Sequence, residues 1–251
     1  MKENVNFDFY DGEKAVEYAS LIAGERFSDE MSTVLLVAFN DKRNLPSLRF
    51  VEGNTIILKD YIEKWVHAYL RGYDSRPSTR IGKKSATFPD EIIRLILQSR
   101  LEDLSDDLAF EIEGGHSLMM TIENLVGDLL EEYLSINLYE CGWYCCWGST
   151  MDAIDFCKAD GSLLQVKNSD NSENSSSSRV RSGTTIKKWH RRASTHKNTY
   201  DWDKLKEKVG CQDLSEDSFR HFVVKVITEN PDCIFLEEDH PLSGYEVIKN
   251  I

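Results

Sequence analysis

No apolar run in the sequence approaches the ~18 residues a membrane-crossing helix needs. The longest clear one, VLLVAF at 34–39, is far shorter. The first residues, MKENVNFDFYDGEK, hold no apolar stretch of the kind a secretory signal carries. C-x₂-C pairs, HExxH, H-x-E, GxSxG and a Walker-type phosphate loop are all missing, which removes the common zinc, serine-hydrolase and nucleotide-hydrolase signatures. Six cysteines, two of them adjacent (Cys145, Cys146), give no disulfide framework. Adjacent cysteines in a strand point to opposite faces, so Cys141, Cys145, Cys146 and Cys157 read as core thiols of a reduced, cytoplasmic protein with no membrane association. There is no internal repeat.

Acid is also missing, but only locally. The formal net charge is −13 over 251 residues, which argues against indiscriminate coating of nucleic acid. Yet Asn174 to Tyr200 contains no Asp or Glu, while holding Arg179, Arg181, Lys187, Lys188, Arg191, Arg192 and Lys197 with His190 and His196. A second basic segment, RPSTRIGKK, supplies Arg76, Arg80, Lys83 and Lys84. An acidic body with two basic segments implies one polyanion-facing surface; a solvated loop is the competing reading.

What is present has two textures. The N-terminal part reads as helices. GEKAVEYASLIAGERF (12–27) has helical spacing, and LKDYIEKWVHAYLRGY places Leu58, Tyr61, Ile62, Trp65, Val66 and Tyr69 on one face, with Gly72 to end it. Residues 29–39 fit helix or strand. FPDEIIRLILQSR starts a helix at Pro89. SLMMTIENLVGDLLEEYLS (117–135) sets Leu118, Ile122, Leu125, Leu129 and Tyr133 on one face and Asn124, Asp128, Glu131 and Glu132 on a wet face, with Glu123 on the border. From 143 the texture turns to β: WYCCW, MDAIDFCK, SLLQVKN, HFVVKVITE and CIFLEE, with a helix at WDKLKEKVG (202–210). The fold class is α+β with an α/β-like core: a mixed sheet flanked by helices, in a single domain over 1–251. Residues 1–110 form its mainly helical part and 111–251 its core.

Asp160-Gly161 marks a hairpin, and its loop length decides which residues share a face. A two-residue loop pairs residues summing to 321 and sets Asp155 against Val166. A three-residue loop, Ala159-Asp160-Gly161, pairs residues summing to 320. It gives Gly161 the left-handed position and gathers Asp155, Gln165 and Lys167 on one face. The second is favoured because it does not scatter polar groups over two apolar faces. A carboxylate and a side-chain carbonyl oxygen can hold a hard cation such as Mg²⁺, and a neighbouring lysine can orient or deprotonate water. A buried Asp–Lys pair is the structural alternative; such pairs stabilise little.

An acid in one strand followed about ten residues later by x-V-K in the next resembles the core of the PD-(D/E)xK nucleases. Here the pattern is Asp155, then Gln165-Val166-Lys167. The preceding GGHSLMMTIENLVGDLL resembles the superfamily helix that often carries a metal-proximal Glu, which matches Glu123. QVKNSDNSENSSSSRVRSGTTIKKWHRR is similar, more narrowly, to the SinI-type type II restriction endonucleases, which cut within GGWCC sequences. The resemblance implies a restriction-endonuclease-like fold. It also implies Mg²⁺-dependent cutting of double-stranded DNA at a short G/C-flanked palindrome, and a homodimer. A cognate methyltransferase that protects host DNA need not bind the enzyme. Its metal ligands are Asp155, Gln165 and Glu123, with Lys167 at the nucleophile. Gln165 departs from the pattern, which expects an acid, and puts a second metal in doubt.

The loop 168–197 then faces DNA. Asn168, Asp170, Asn171, Asn174, Ser175 and Ser176 suit phosphate and base-edge contacts. Arg179 and Arg181 can read guanine. Lys187, Lys188, Arg191 and Arg192 suit a phosphate clamp, joined by Arg76, Arg80, Lys83 and Lys84. Two other functions fit the same residues: a non-cleaving DNA-binding protein on this fold, and a repair nuclease that reads structure.

Overall fold

A computed structural model of the chain describes residues 10–48, 57–83, 90–170, 186–196 and 199–236. The elements are α1 (Gly12–Ala23), α2 (Asp29–Asn40), α3 (Leu58–Asp74), α4 (Glu91–Arg100), α5 (Asp106–Leu138), β1 (Trp143–Cys145), β2 (Phe156–Lys158), β3 (Leu163–Ser169), β4 (Ile186–Arg192), α6 (Trp202–Val209) and α7 (Glu216–Glu229). The mixed α+β class expected from the sequence is what folds. None of the described helices is long and apolar enough to cross a membrane. The chain divides into two compact units, Met1–Ser75 with Leu130–Phe219, and Arg76–Leu129 with Arg220–Ile251.

The first unit holds the sheet, in the order β1-β2-β3-β4. β1 and β2, and β2 and β3, run antiparallel; β3 and β4 run parallel. One face begins with the row Tyr144, Cys157, Leu163 and Ile186, which joins the apolar core of α1, α2 and α3. The opposite face carries Phe156 and Leu164, both fully buried. On that side Trp143 donates its indole N–H to the Val209 carbonyl at the end of α6, at 3.0 Å. Alternation along each strand thus divides the residues between two helical layers.

The ambiguous 29–39 segment is helix α2. Ser28 decides it: its Oγ accepts the Met31 N–H at 3.2 Å, and Asp29 and Glu30 occupy the first turn. Gly72 does not end α3, which continues to Asp74. Its role is close approach. A Cβ on Gly72 would lie 2.1 Å from the Gly148 nitrogen, and one on Gly148 would lie 2.0 Å from the Ala68 carbonyl oxygen. Gly148 also has φ +71°. The buried Trp65 completes this junction by donating to the Thr150 carbonyl at 2.9 Å. Helix α3 therefore fixes the turn from which the chain runs to Asp155. Replacing Gly72 with Ala must push backbone from backbone. The expected cost is about 1–3 kcal/mol, read as a lower denaturation midpoint; an unchanged midpoint would mean that the two segments part freely.

Two stretches read as strands are not strands. HFVVKVITE belongs to α7. Ser215 starts that helix, its Oγ accepting the Ser218 N–H at 3.1 Å, and Glu216 and Asp217 lie in the first turn. These end signals outweigh the β-branched composition. CIFLEE begins in a 3₁₀ turn, Pro231–Cys233, and its described remainder is irregular. Conversely IKKWHRR, read as part of the DNA-facing loop, forms β4. Glu132, expected on a wet face, is buried at 2 % exposure, because the C-terminal part of α5 is enclosed on most sides: Leu130, Tyr133, Leu134 and Leu138 are buried with it. Cys141 and Cys211 are joined as a disulfide across 70 residues, contrary to the reading of Cys141 as a thiol. The sequence separation hides a pair brought together by the ends of α5 and α6. Cys145, Cys146 and Cys157 are free and buried, as expected.

In the second unit, Asp90 caps α4 by accepting the Ile92 N–H at 3.0 Å, so that helix starts at Glu91. Pro89 lies outside the described residues. Asn230 ties the segment after α7 to the Pro77 and Arg80 carbonyls at 2.8 and 2.9 Å. Arg94 pairs with Glu113 at 2.6 Å. Ile92, Leu95, Ile96, Phe110, Ile112 and Met119 are exposed.

Candidate active site

The hairpin adopts the three-residue loop. Phe156 pairs with Leu164 and Cys157 with Leu163, so partners sum to 320. Gly161 has φ +85°, and its N–H bonds the Lys158 carbonyl at 2.9 Å. The Asp160 carboxylate accepts the Ser162 N–H at 2.8 Å and stiffens the turn. The ladder ends at Phe156 and Leu164, and Asp155, just before it, reaches β3 with its side chain at the Val166 N–H, between Gln165 and Lys167.

At Asp155 the ladder hands over from backbone to side chains. The Asp155 N–H still bonds the Leu164 carbonyl at 3.0 Å. Ala153, with φ +59°, turns the preceding chain away from β3. The Val166 N–H is then taken by Asp155 Oδ2 at 2.7 Å, and the Ala153 carbonyl by Gln165 Nε2 at 3.0 Å. Because a carbonyl can only accept, the amide nitrogen of Gln165 faces Ala153 and its oxygen points away. Each side chain thus fixes one end in the fold and keeps one oxygen, Asp155 Oδ1 or Gln165 Oε1, with no hydrogen bond to the described residues.

Burial pushes the Asp155 carboxyl up to about 6, against the downward pull of the Val166 N–H and of Lys167. The Lys167 ammonium is pushed down, first by burial and then by Lys188, while Asp155 pulls it up. On β4, Lys188 lies across from Gln165 and His190 across from Lys167. His190 is also pushed down, by burial first. The face that starts with Leu163 and Ile186 in the core therefore becomes polar toward the carboxyl ends of the two parallel strands. Its rows are Gln165 and Lys188; then Lys167 and His190; then Ser169 and Arg192, with Asp155 beside the first through its bond to the Val166 N–H.

The other face of β4 uses its charges internally. Arg191 is buried; its Nη1 bonds Glu216 at 2.7 and 2.8 Å and its Nε bonds Asn168 Oδ1 at 2.9 Å. Lys187 donates to the Lys208 carbonyl at 2.7 Å. Asp170 accepts the Ser194 N–H at 2.7 Å, and the Ser194 side chain first and this N–H second hold its carboxyl below the usual range. Arg80 pairs with Asp128. Arg192 and Lys83 are exposed, and Arg76 is partly exposed. Glu123 is exposed on α5 in the second unit. Lys84, Asn171, Asn174, Ser175, Ser176, Arg179 and Arg181 lie outside the described residues.

Sequence reasoning grouped Lys187, Lys188, Arg191 and Arg192 as one clamp. Strand parity separates them and adds His190 beside Lys167. Period-two spacing was the available signal, but both faces of IKKWHRR are polar, which hides the alternation. Among the described residues no cluster of three or more His, Cys, Asp or Glu side chains is arranged to hold a metal.

The sequence matches the family model of the SinI restriction endonuclease over residues 21–229. It is 44 % identical over 153 residues to the type II restriction enzyme SinI of Salmonella infantis, covering 58 % of this chain and 66 % of that enzyme. It is 39 % identical over 174 residues to the type II restriction enzyme Eco47I of Escherichia coli, covering 66 % of this chain and 75 % of that enzyme.

Proposed function

This chain belongs to the SinI restriction endonuclease family, whose two relatives above are type II restriction enzymes, and we propose that its site performs Mg²⁺-dependent, sequence-specific hydrolysis of phosphodiester bonds in double-stranded DNA. The observation that carries the reading is the hairpin register. It sets one carboxylate, one amide oxygen and one lysine on a single face, beside cations of β4.

The donor set fits one hard cation. Mg²⁺ takes one or two protein oxygens and fills the rest of its shell with water and phosphate. Asp155 Oδ1 and Gln165 Oε1 are the oxygens on offer. A neutral amide at 165 adds no charge, which favours one ion at this pair. When bound, the ion supplies Lewis-acid polarisation of the phosphate and charge for the departing 3′ oxygen. The chain's own residues do the rest. Asp155, fixed by the Val166 N–H, presents its second oxygen in a constant position. Lys167 holds the attacking water in line and balances the charge that grows on the phosphate. The P–O3′ bond breaks as the new P–O bond forms, leaving a 5′ phosphate and a 3′ hydroxyl.

The target we propose is a GGWCC-like, G/C-flanked palindrome, read by two copies of the chain related by a two-fold axis. Exposed apolar residues on α4 and α5 supply a surface such pairing can use. The test is a digest of phage DNA with Mg²⁺, with fragment ends sequenced and the complex sized on its duplex. Discrete bands, one shared sequence at the ends and two chains per duplex are expected. Lys167→Ala should abolish the bands while a mobility shift persists. Cuts that follow DNA structure instead of sequence, or binding without any cutting, would favour the other two functions.

A further inference from the structure

The geometry points to Lys188 as a second active-site lysine, one whose ammonium group contacts the phosphate under attack and supplies the charge that an acid-bound second cation would otherwise bring. The inference rests on the reading of the site as a phosphodiesterase, and it names a residue that the Asp–Gln–Lys pattern does not contain.

Placement comes first. Lys188 lies across the parallel β3–β4 ladder from Gln165, on the face shared with Lys167 and one step from His190. It is partly buried, so its stem runs along the sheet and its charge sits at the polar end of that face. Strand parity then separates it from its neighbours. Lys187 bonds the Lys208 carbonyl and Arg191 bonds Glu216, both on the opposite face. Among the described residues Lys188 has no ion-pair partner, in a chain with 43 acids and 30 lysines and arginines. Acid is abundant in this chain, so a lysine with no ion-pair partner among the described residues, beside a second lysine, is a site where an anion is expected. Lys188 is the diagonal neighbour of Lys167 on one sheet face, and like charges placed so close favour an anion between them. One phosphodiester anion at this face meets the charge of Lys188.

Gln165 closes the argument. An acid at that position would face Lys188 directly and neutralise it. The amide leaves the ammonium charge available. The position where the nuclease pattern has an anion that recruits a cation thus has a neutral group next to a built-in cation. A fixed charge aimed at the equatorial oxygens stabilises the transition state more than the bound substrate.

The experiment is a single-turnover cleavage assay on a cognate duplex with wild type, Lys188→Ala and Lys188→Arg, paired with dissociation constants measured without divalent ion over a series of salt concentrations. Removing one preorganised charge lowers the chemical step by roughly 100-fold or more. The expected result is a loss of that size for Lys188→Ala, partial recovery in Lys188→Arg, and affinity within about threefold of wild type. A rate for Lys188→Ala within threefold of wild type overturns the inference. So does a loss confined to affinity with a salt slope shallower by about one, the mark of a phosphate contact away from the reacting group. Thermal midpoints guard against misfolding: if Lys188→Ala unfolds, Lys188→Met keeps the aliphatic stem and carries the same comparison, and a midpoint drop with no recovery in Lys188→Arg counts against a charge role. Failure of wild type to cut any duplex overturns the phosphodiesterase reading itself, whereas normal cutting by the variants overturns only the role of Lys188.

Discussion

Asp155→Asn is expected to abolish cutting, by about 1,000-fold or more in the single-turnover rate, and to make the folded protein more stable at neutral pH. The two effects share one cause. Burial raises the Asp155 carboxyl from its ordinary 3.8 to about 6. A group whose folded pKa lies above its unfolded value contributes stability below the unfolded pKa and loses it as pH rises through the folded one. At pH 8 the protein therefore bears the cost of a desolvated carboxylate, about 1–3 kcal/mol. Asparagine removes the charge and keeps an oxygen for the Val166 N–H. In chelator, the denaturation midpoint of the variant should exceed wild type at pH 8, by roughly half as much near pH 5, and match it only below the unfolded pKa of 3.8. A variant less stable than wild type at pH 8 would show that the carboxylate supports the fold, and would weaken its assignment to catalysis.

Removal of Arg191 should produce the largest loss of stability, although this residue sits in the most basic stretch of the chain. Its side chain is 10 % exposed and that of Glu216 is 15 %. Around the pair, Trp202 donates its indole N–H to Glu216 at 3.0 Å, Asn168 accepts from Arg191, and the guanidinium lies over the Tyr200 and Phe219 rings at 5.1 Å each. Truncation to alanine takes the cation from the Glu216 carboxylate and the donor from the Asn168 oxygen in a largely dry site, and costs about 3–5 kcal/mol. For a chain of this size that lowers the thermal midpoint by roughly 10 °C. Arg192→Ala, one residue along and on the opposite face, should leave the midpoint almost unchanged. An apolar double replacement, Arg191→Met with Glu216→Leu, should be less harmful than Arg191→Met alone, because no charge is left buried without a partner. Equal midpoints for Arg191→Ala and Arg192→Ala would refute the division by parity.

The residues of the proposed site are legible because local turn chemistry brings them together. Asp160-Gly161 selects a three-residue loop, the loop selects the register, and the register gathers Asp155, Gln165 and Lys167. What escapes the sequence depends on contacts far along the chain. The burial of Glu132 follows from packing around the end of α5. Gly72 has the place of a helix stop, and only the turn at Gly148 reveals that it makes room for backbone. Strand β4 escapes because its alternation separates charges bonded within the fold from charges that have no ion pair among the described residues, instead of apolar from polar. Helix α7 is misread for the reverse reason: Val223, Val224, Val226 and Ile227 look like a strand, and the start signal at Ser215 settles the matter.

The alternation in β4 also sets how this surface can change over generations. A substitution at His190 or Arg192 alters one charge on the polar face and leaves the Arg191–Glu216 pair intact. An inserted or deleted residue within Ile186–Arg192 shifts all that follows to the wrong side at once, turning Trp189 or Arg191 outward and forcing lysines or histidine into the aromatic interior. This segment can therefore diverge by point replacement but hardly at all by length. Among relatives, gaps should cluster outside the strand, and reading frames with an indel inside it should fail to yield folded protein.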